Sequence, residues 1–475
     1  MKSGSCFRIL IALAFCTMAC NCSNPDDEPM GPAVLPVHVY TTSGNAVNLF
    51  YHKTIDFAPG EDNRFDVIEI NPAETFQTVE GFGYTLTGGS AMLLHQMSAA
   101  DRAALLREFF STDDNSIRVS YIRISIGASD LDPVVFSYDD LPSGVTEDLS
   151  LQYFSLARDT LHLIPVLKEI LAINPNLRIM GSPWSAPVWM KSNKNSIGGN
   201  LKPQYYSAYA QYFVKYIQAM EAHGIHIDAI TPQNEPQHGG NNPSLVMSST
   251  NQKDFVKDHL GPAFQAAGIT TKIIIWDHNC NNPEYPIDIL NDATAKGYVH
   301  GSAFHLYEGD VSALSAVHEA HPDKGLYFTE QWTGSASSFD GDLKWHMKNI
   351  IIGTMRNWSR VALEWNLASD PAFGPHTPGG CTQCKGAVTI DGSTATKNVS
   401  YYIIGQASRF VPPGSVRIGS TVPGTLHNVA FQTPEGKMVL IVLNEGAEIQ
   451  SFNIHAGDKW ITASLHPGTV GTFLW

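Results

Sequence analysis

The chain has 475 residues, 43% of them hydrophobic and 16% charged, a balance that excludes a disordered protein and fits one large folded unit with a smaller companion. The formal charge of −15 excludes a nucleic-acid partner, because phosphate binding needs clustered Lys and Arg that this sequence does not show.

The N-terminus begins with Lys2 and Arg8, continues through the apolar run Ile9 to Phe15 and ends in small residues before Cys20. This predicts a signal peptide over residues 1–19, too short to remain as a membrane span. Thr17-Met18-Ala19-Cys20 has the form of a bacterial lipobox, so Cys20 is the expected lipidation site. Cys22 is the poorer candidate, because Asn21 suits a cleavage site badly. Residues 20–32 carry Asp26, Asp27, Glu28 and three prolines and read as an extended tether. An acidic run just after such a cysteine resembles a bacterial surface-lipoprotein export signal. The expectation is an outer-membrane, surface-exposed lipoprotein touching the membrane only through its lipid anchor; a periplasmic or plainly secreted chain is the alternative.

From Val34 to Ile70 strands and turns alternate with little helical periodicity, and the same character returns from Gly414 to Trp475. Between them, eight short β-rich runs alternate with amphipathic stretches. The strands are expected near Val79 to Tyr84, Val119 to Ile126, Arg178 to Ser182, Asp228 to Gln233, Lys272 to Asp277, Gly301 to Leu306, Leu326 to Glu330 and Arg360 to Trp365. Helices are expected over Ser98 to Phe110, with Ser98 as N-cap, and over Pro203 to His223. Eight such units predict an α/β fold: a (β/α)8 barrel over residues 77–408, with an all-β sandwich built from 33–76 and 409–475. Gly81-Phe82-Gly83 is too short for a dinucleotide fingerprint, and no cofactor is expected. Among Cys280, Cys381 and Cys384, the Cys-x-x-Cys pair reads as a local disulfide, since a zinc site needs two further ligands.

In such a barrel the reactive side chains lie at the C-terminal strand ends. The fourth strand ends in Thr231-Pro232-Gln233-Asn234-Glu235-Pro236 and the seventh in Phe328-Thr329-Glu330-Gln331-Trp332, which puts two carboxylates across one pocket. That pairing suits glycoside hydrolysis, where one group protonates the leaving oxygen and the other meets the anomeric carbon. A gap of roughly 5 Å makes the reaction retaining; a wider one admits water and inverts. The period of two places His305 and Tyr307 on one face, where the phenol can orient Glu330. Trp365 offers an indole to stack on a sugar and Asn366 an amide to bond it; Glu364 is a rival carboxylate. Arg123 is placed to tune the glutamates, or to form an ordinary barrel salt bridge, while Asp130 and Trp184 are placed to hold a terminal sugar. His305, His278 and Asp277 show no metal-ligand spacing, and no metal site is expected.

These motifs resemble glycoside hydrolase family 30, which holds lysosomal glucosylceramidase and microbial β-1,6-glucanases. The likeness rests on Arg123 to Asp130, Ser182-Pro183-Trp184, Asn234-Glu235-Pro236, His305 and Tyr307, Thr329-Glu330, Trp365-Asn366-Leu367-Ala368 and Ser408 to Ser415. It implies a retaining double displacement, with Glu235 as acid/base, Glu330 as nucleophile, and Asp130, Trp184, Asn234 and Trp365 lining the glycone subsite. It also implies a sandwich packed against the barrel. The loop from Pro375 to Gly386 looks more like that of the β-1,6-glucanases. The expected activity is therefore endo-hydrolysis of a pustulan-type β-1,6-glucan by a monomer. A glucosylceramidase-like exo-β-glucosidase is the alternative, and a non-catalytic glycan-binding protein would have no need of both glutamates.

Overall fold

The computed structural model describes Met1 and residues 36–475; the signal sequence, Cys20 and the tether fall in 2–35, outside the described residues. Eight parallel strands close into a barrel: Gly81–Thr85, Tyr121–Ser125, Arg178–Ser182, Ala229–Ile230, Lys272–Cys280, Val299–Gly309, Gly325–Glu330 and Ser359–Glu364. Alternation along these strands sends Tyr121, Met180, Ala229, Ile274, Ala303, Tyr327, Val361 and Leu363 inward as one apolar cluster. Two residues further along several strands, the same alternation turns Arg123, Ser182, Thr231, His305 and Thr329 inward. The barrel thus carries a buried polar layer above its apolar floor, at the C-terminal strand ends.

Two of the eight strands break the alternation. In Lys272–Cys280 the register shifts between Trp276 and His278, and Trp276 and Asp277 adopt φ of 72° and 68°. This bulge sends Trp276 outward against Tyr285, with ring centroids 4.3 Å apart, and turns Asp277 into the barrel. In Gly325–Glu330 a shift between Phe328 and Glu330 does the same for Glu330. The fourth strand is shorter than its sequence predicts, with its ladder confined to Ala229–Ile230. Pro232 has no N–H to extend it, so Gln233 to Glu235 lie in the loop that follows. The helix expected from Pro203 starts as a 3-10 turn, Pro203–Tyr205, and becomes α-helical over Tyr206–Ala222. Ser98 caps Ala99–Phe110 by accepting the Asp101 N–H at 3.2 Å.

Both chain ends build one nine-stranded sheet, in the order Tyr51–Ile55, Val37–Ser43, Thr469–Leu474, Met438–Asn444, Leu426–Gln432, Val416–Ser420, Asp66–Thr78, Gln450–Ala456, Lys459–Leu465. Every neighbouring pair is antiparallel except Asp66–Thr78 with Gln450–Ala456. Lys459–Leu465, at one edge, touches Thr469–Leu474 near the other, so the sheet curls into a sandwich around Val37, Ile68, Leu440, Phe452 and Phe473. Its opposite face, with Val429, Phe431, Val439 and Ile441, joins the barrel's own core. Each such side chain contributes about 1.5–3 kcal/mol by leaving water, which fixes the sandwich to the barrel.

Candidate active site

Asp277 is the centre of the polar layer and is fully buried. Its Oδ2 accepts from Arg123 Nη2 at 2.7 Å, Ser182 Oγ at 2.7 Å and Thr231 Oγ1 at 2.7 Å. Its Oδ1 accepts from Thr329 Oγ1 at 2.7 Å and faces His305 Nε2 at 3.1 Å. Burial opposes the charge, yet Arg123 and His305 hold this carboxyl far below the usual range. Arg123 in turn donates to Glu330 Oε2 at 2.6 Å and to Asn234 Oδ1 at 2.6 Å, with its guanidinium 4.8 Å from the Trp184 ring. Burial alone would lower His305, but Glu330, Asp277 and Glu235 raise it to about 9, so its ring is a cation at neutral pH.

Glu235 and Glu330 stand above this layer, in the wall of a cavity of about 330 Å³. Carboxylate oxygens of the two approach within 4.8 Å, as does a ring nitrogen of His305. Such a trio has the spacing of metal ligands, but Arg123 already supplies a fixed cation to Glu330. Glu235 has a φ of 45°, a strained backbone held by the bond from its N–H to the Asp277 carbonyl at 2.9 Å.

Burial works to raise both carboxyls. The hydrogen bond and the charge of His305 still draw Glu235 below the usual carboxylate range, whereas burial with the Glu235 charge leaves Glu330 above it. The bonds to Glu330 work against that order. Glu330 accepts the 2.6 Å bond from Arg123 and a 3.0 Å bond from the Tyr307 hydroxyl. Glu235 meets only His305 Nδ1 at 3.3 Å and Asn241 Nδ2 at 3.4 Å. Groups this close titrate as a pair, and within it the short charge-assisted bond from Arg123 favours the anion on Glu330.

The remaining expected residues divide into those that meet the cavity and those that support it. Asp130, Trp184, Tyr307 and Trp365 line it. Burial, then the charge of Glu330, lift Asp130 to about 7. Trp184 and Trp365 lie 5.4 Å apart, centroid to centroid. His305 and Asn234 sit beneath the wall, bonded to Asp277 and Arg123. Asn366 is turned away: its amide donates to Ala368 O at 2.9 Å and it forms no part of the lining. Glu364, one residue out of phase with inward Leu363, points into the surrounding helices and pairs with His346 at 2.6 Å. The cavity is also lined by His238, Asn241, His278, Asn279, Glu308 and Trp332, and by the disulfide-bonded Cys381 and Cys384. The sequence does not single out His238, Asn241, Asn279, Glu308 and Trp332; the last three share a signal, a polar or aromatic side chain at or just past a strand end, while His238 and Asn241 lie in the loop after Glu235 and have none. A larger cavity of about 700 Å³, around Tyr40, Arg118, Arg409 and Phe410, borders the residues that precede strands, such as Ser120 and Asn176.

A parallel barrel whose upper rim sets two close carboxyls in an aromatic-walled cavity has the design of a glycoside hydrolase. The chain belongs to glycosyl hydrolase family 30: the TIM-barrel domain of that family matches residues 79–411 and its β-sandwich domain residues 414–473. An endo-1,6-β-D-glucanase of Neurospora crassa is 34% identical over 425 residues, covering 85% of this chain and 86% of that protein. The lysosomal acid glucosylceramidase of Mus musculus is 29% identical over 438 residues, covering 86% of this chain and 83% of that protein. A solved endo-β1,6-glucanase structure is similar at 37% identity and TM-score 0.86, over 93% of this chain and 99% of that one. SrfJ from Salmonella typhimurium reaches TM-score 0.88 at 27% identity, over 93% and 99%.

Proposed function

We propose that this protein is a retaining endo-β-1,6-glucanase, with Glu330 as nucleophile and Glu235 as acid/base. The observation that carries the retaining reading is the approach of the two carboxylates to within 4.8 Å, which leaves no room for a water between Glu330 and the anomeric carbon. Glu330 attacks that carbon while Glu235 gives its proton to the leaving oxygen; Glu235 then takes a proton from the water that releases the sugar. Tyr307 and Arg123 hold the attacking carboxylate in line. Asp130 accepts from glycone hydroxyls, and Trp184 and Trp365 give the ring a stacking wall.

For substrate, the 1,6-glucanases at 34% and 37% identity support a glucan over a glucosylceramide. The lining points the same way. Around Glu235, where the leaving group sits, it consists of His238, Asn241, His278, Asn279 and Glu308, which suits a sugar hydroxyl and offers a ceramide chain no aliphatic wall. Pustulan, laminarin, cellulose, xylan and glucosylceramide, offered separately with products resolved over time, test the reading. Early β-1,6-linked oligosaccharides from pustulan alone are expected; glucose alone, from glucosylceramide or an aryl glucoside, would reassign the protein as an exo-β-glucosidase. Glu330→Gln is expected to abolish turnover, whereas Glu235→Ala still accepts label from a substrate with a good leaving group. Unimpaired hydrolysis by Glu330→Gln ends the assignment.

The lipobox and the acidic tether support a surface lipoprotein that works as a monomer on polymer outside the cell. Labelled palmitate should enter the wild type and not Cys20→Ser, protease added to whole cells should remove it, and sedimentation of the purified protein should give the monomer mass.

A further inference from the structure

The loop from Pro375 to Lys385 crosses the rim of the cavity and touches three other loops. Thr377 N–H donates to Asp130 O at 2.9 Å, and Thr377 Oγ1 donates to Asn242 O at 2.5 Å. Asn242 Nδ2 returns a bond to Pro378 O at 2.9 Å. Gly380 packs so closely that a Cβ there would stand 2.3 Å from Asp130 O. At the far end, Cys384–Lys385 pairs antiparallel with Thr333–Gly334, directly after Trp332, and Ser335 N–H donates to Gln383 O at 2.9 Å.

The disulfide joins these two attachments. Cys381 N–H donates to the Asp130 carboxylate at 3.3 Å, and both cysteines pack with Trp184, Trp332 and Trp365 in one cluster at the cavity. One end of the bond therefore holds the Asp130 carboxylate, and the other end holds the short strand Thr333–Gly334 that directly follows Trp332. We propose that the Cys381–Cys384 disulfide is a positioning device for the glycone, fixing Asp130 against Trp332, so that substrate affinity depends on its oxidised state. The proposal rests on the reading that this cavity takes a glycone. The charge balance at Asp130 agrees: burial and Glu330 raise that carboxyl, and of the two backbone N–H bonds that lower it, from Cys381 and from Asp130 itself, the Cys381 bond is the larger.

The test compares the full-length protein, oxidised and after treatment with a water-soluble phosphine, on pustulan. The phosphine takes oxygen from water to become its oxide, and the disulfide takes two electrons and two protons to become two thiols. Turnover of pustulan by the oxidised protein tests the substrate reading by itself; only the change on reduction tests the proposal. Reduction should raise KM about tenfold, the size of one hydrogen bond to a charged group, and change kcat less than about threefold. The pH at which Asp130 ionises, read from the pH dependence of KM, should move up. Reoxidation should restore both values, and the Cys381→Ser/Cys384→Ser double variant should match the reduced protein and ignore the phosphine. An unchanged KM after complete thiol release overturns the proposal. So does a loss of activity that only tracks the folded fraction lost by near-ultraviolet circular dichroism, since that would make the bond a stability staple.

Discussion

Asp277 touches no part of the cavity, yet the charges of the site are arranged around it. Its carboxylate balances Arg123, which aligns Glu330, and His305, which faces Glu235. Removing only the charge, in Asp277→Asn, leaves the Arg123 cation with Glu330 as its one carboxylate partner and takes one anion from beside His305. We expect kcat/KM to fall about 100-fold, as for loss of a buried partner worth about 3 kcal/mol. Because Asp277 is among the anions that raise His305, the alkaline limb of the pH–rate profile should also move to lower pH. A variant that keeps its rate and its alkaline limb would reduce Asp277 to packing. This residue was legible in the sequence only as a strand-end acid. Alternation alone sends Trp276 inward, and the bulge that exchanges the two depends on αL backbone at non-glycine positions, which no local pattern announces. Glu330 is turned inward by a similar shift, but its place in Thr329-Glu330-Gln331-Trp332 marked it without any knowledge of its direction.

At the scale of elements, the strands that read clearly were those with adjacent apolar residues buried on both faces, such as Ala303-Phe304 in Val299–Gly309 and Val361-Ala362-Leu363 in Ser359–Glu364. The fourth strand read too long, because Thr231-Pro232-Gln233 has β character by composition while its ladder ends at Ile230. The loop 237–242 stayed unassigned for a different reason: Gly239-Gly240-Asn241-Asn242 carries turn chemistry but no period, so nothing local shows that Asn241 swings back to Glu235. The strand Met438–Asn444 illustrates how elements share load. Leu440 and Val442 face the sandwich core, while Val439, Ile441 and Leu443 face the barrel. Ile441→Ala opens a cavity in that interface, with no partner able to collapse into it, and should cost about 2–5 kcal/mol in urea unfolding. The kcat of the folded fraction should stay within about twofold. A loss under about 1 kcal/mol would show that sandwich and barrel adhere less tightly than their shared cluster implies.

For the whole molecule, chain ends some 400 residues apart lie side by side in one sheet, and the barrel's rim concentrates acids that burial keeps from ionising. Asp130, Asp132 and Asp159 are each lifted to about 7, chiefly by burial. Between the ordinary carboxylate range, about 4, and 7, the folded protein holds these protons and the unfolded chain releases them. Their contribution to stability is therefore greatest at the acid end of that window and is lost as pH rises through 7. His278 works against this: burial lowers it to about 4, so the unfolded chain binds the extra proton up to about 6.5. Five other histidines, His52, His162, His300, His318 and His321, are lowered in the same sense by smaller amounts, while Asp139, lifted by burial to about 6, joins the acids. Above 7 the signs divide. His305, raised to about 9, loses its contribution as pH climbs to that value, while Lys191, lowered by burial to about 7, regains stability from there to about 10. Carboxyls held low, such as Asp277, are already ionised in both states above pH 5 and leave the slope unchanged. Thermal unfolding from pH 5 to 7 at constant ionic strength should thus show a midpoint that falls steadily, with Asp159→Asn flattening the slope by about a third. A midpoint that climbs across this window would mean that water or movement relieves the buried acids, and that the rim is held together less by exclusion of solvent than by its hydrogen bonds.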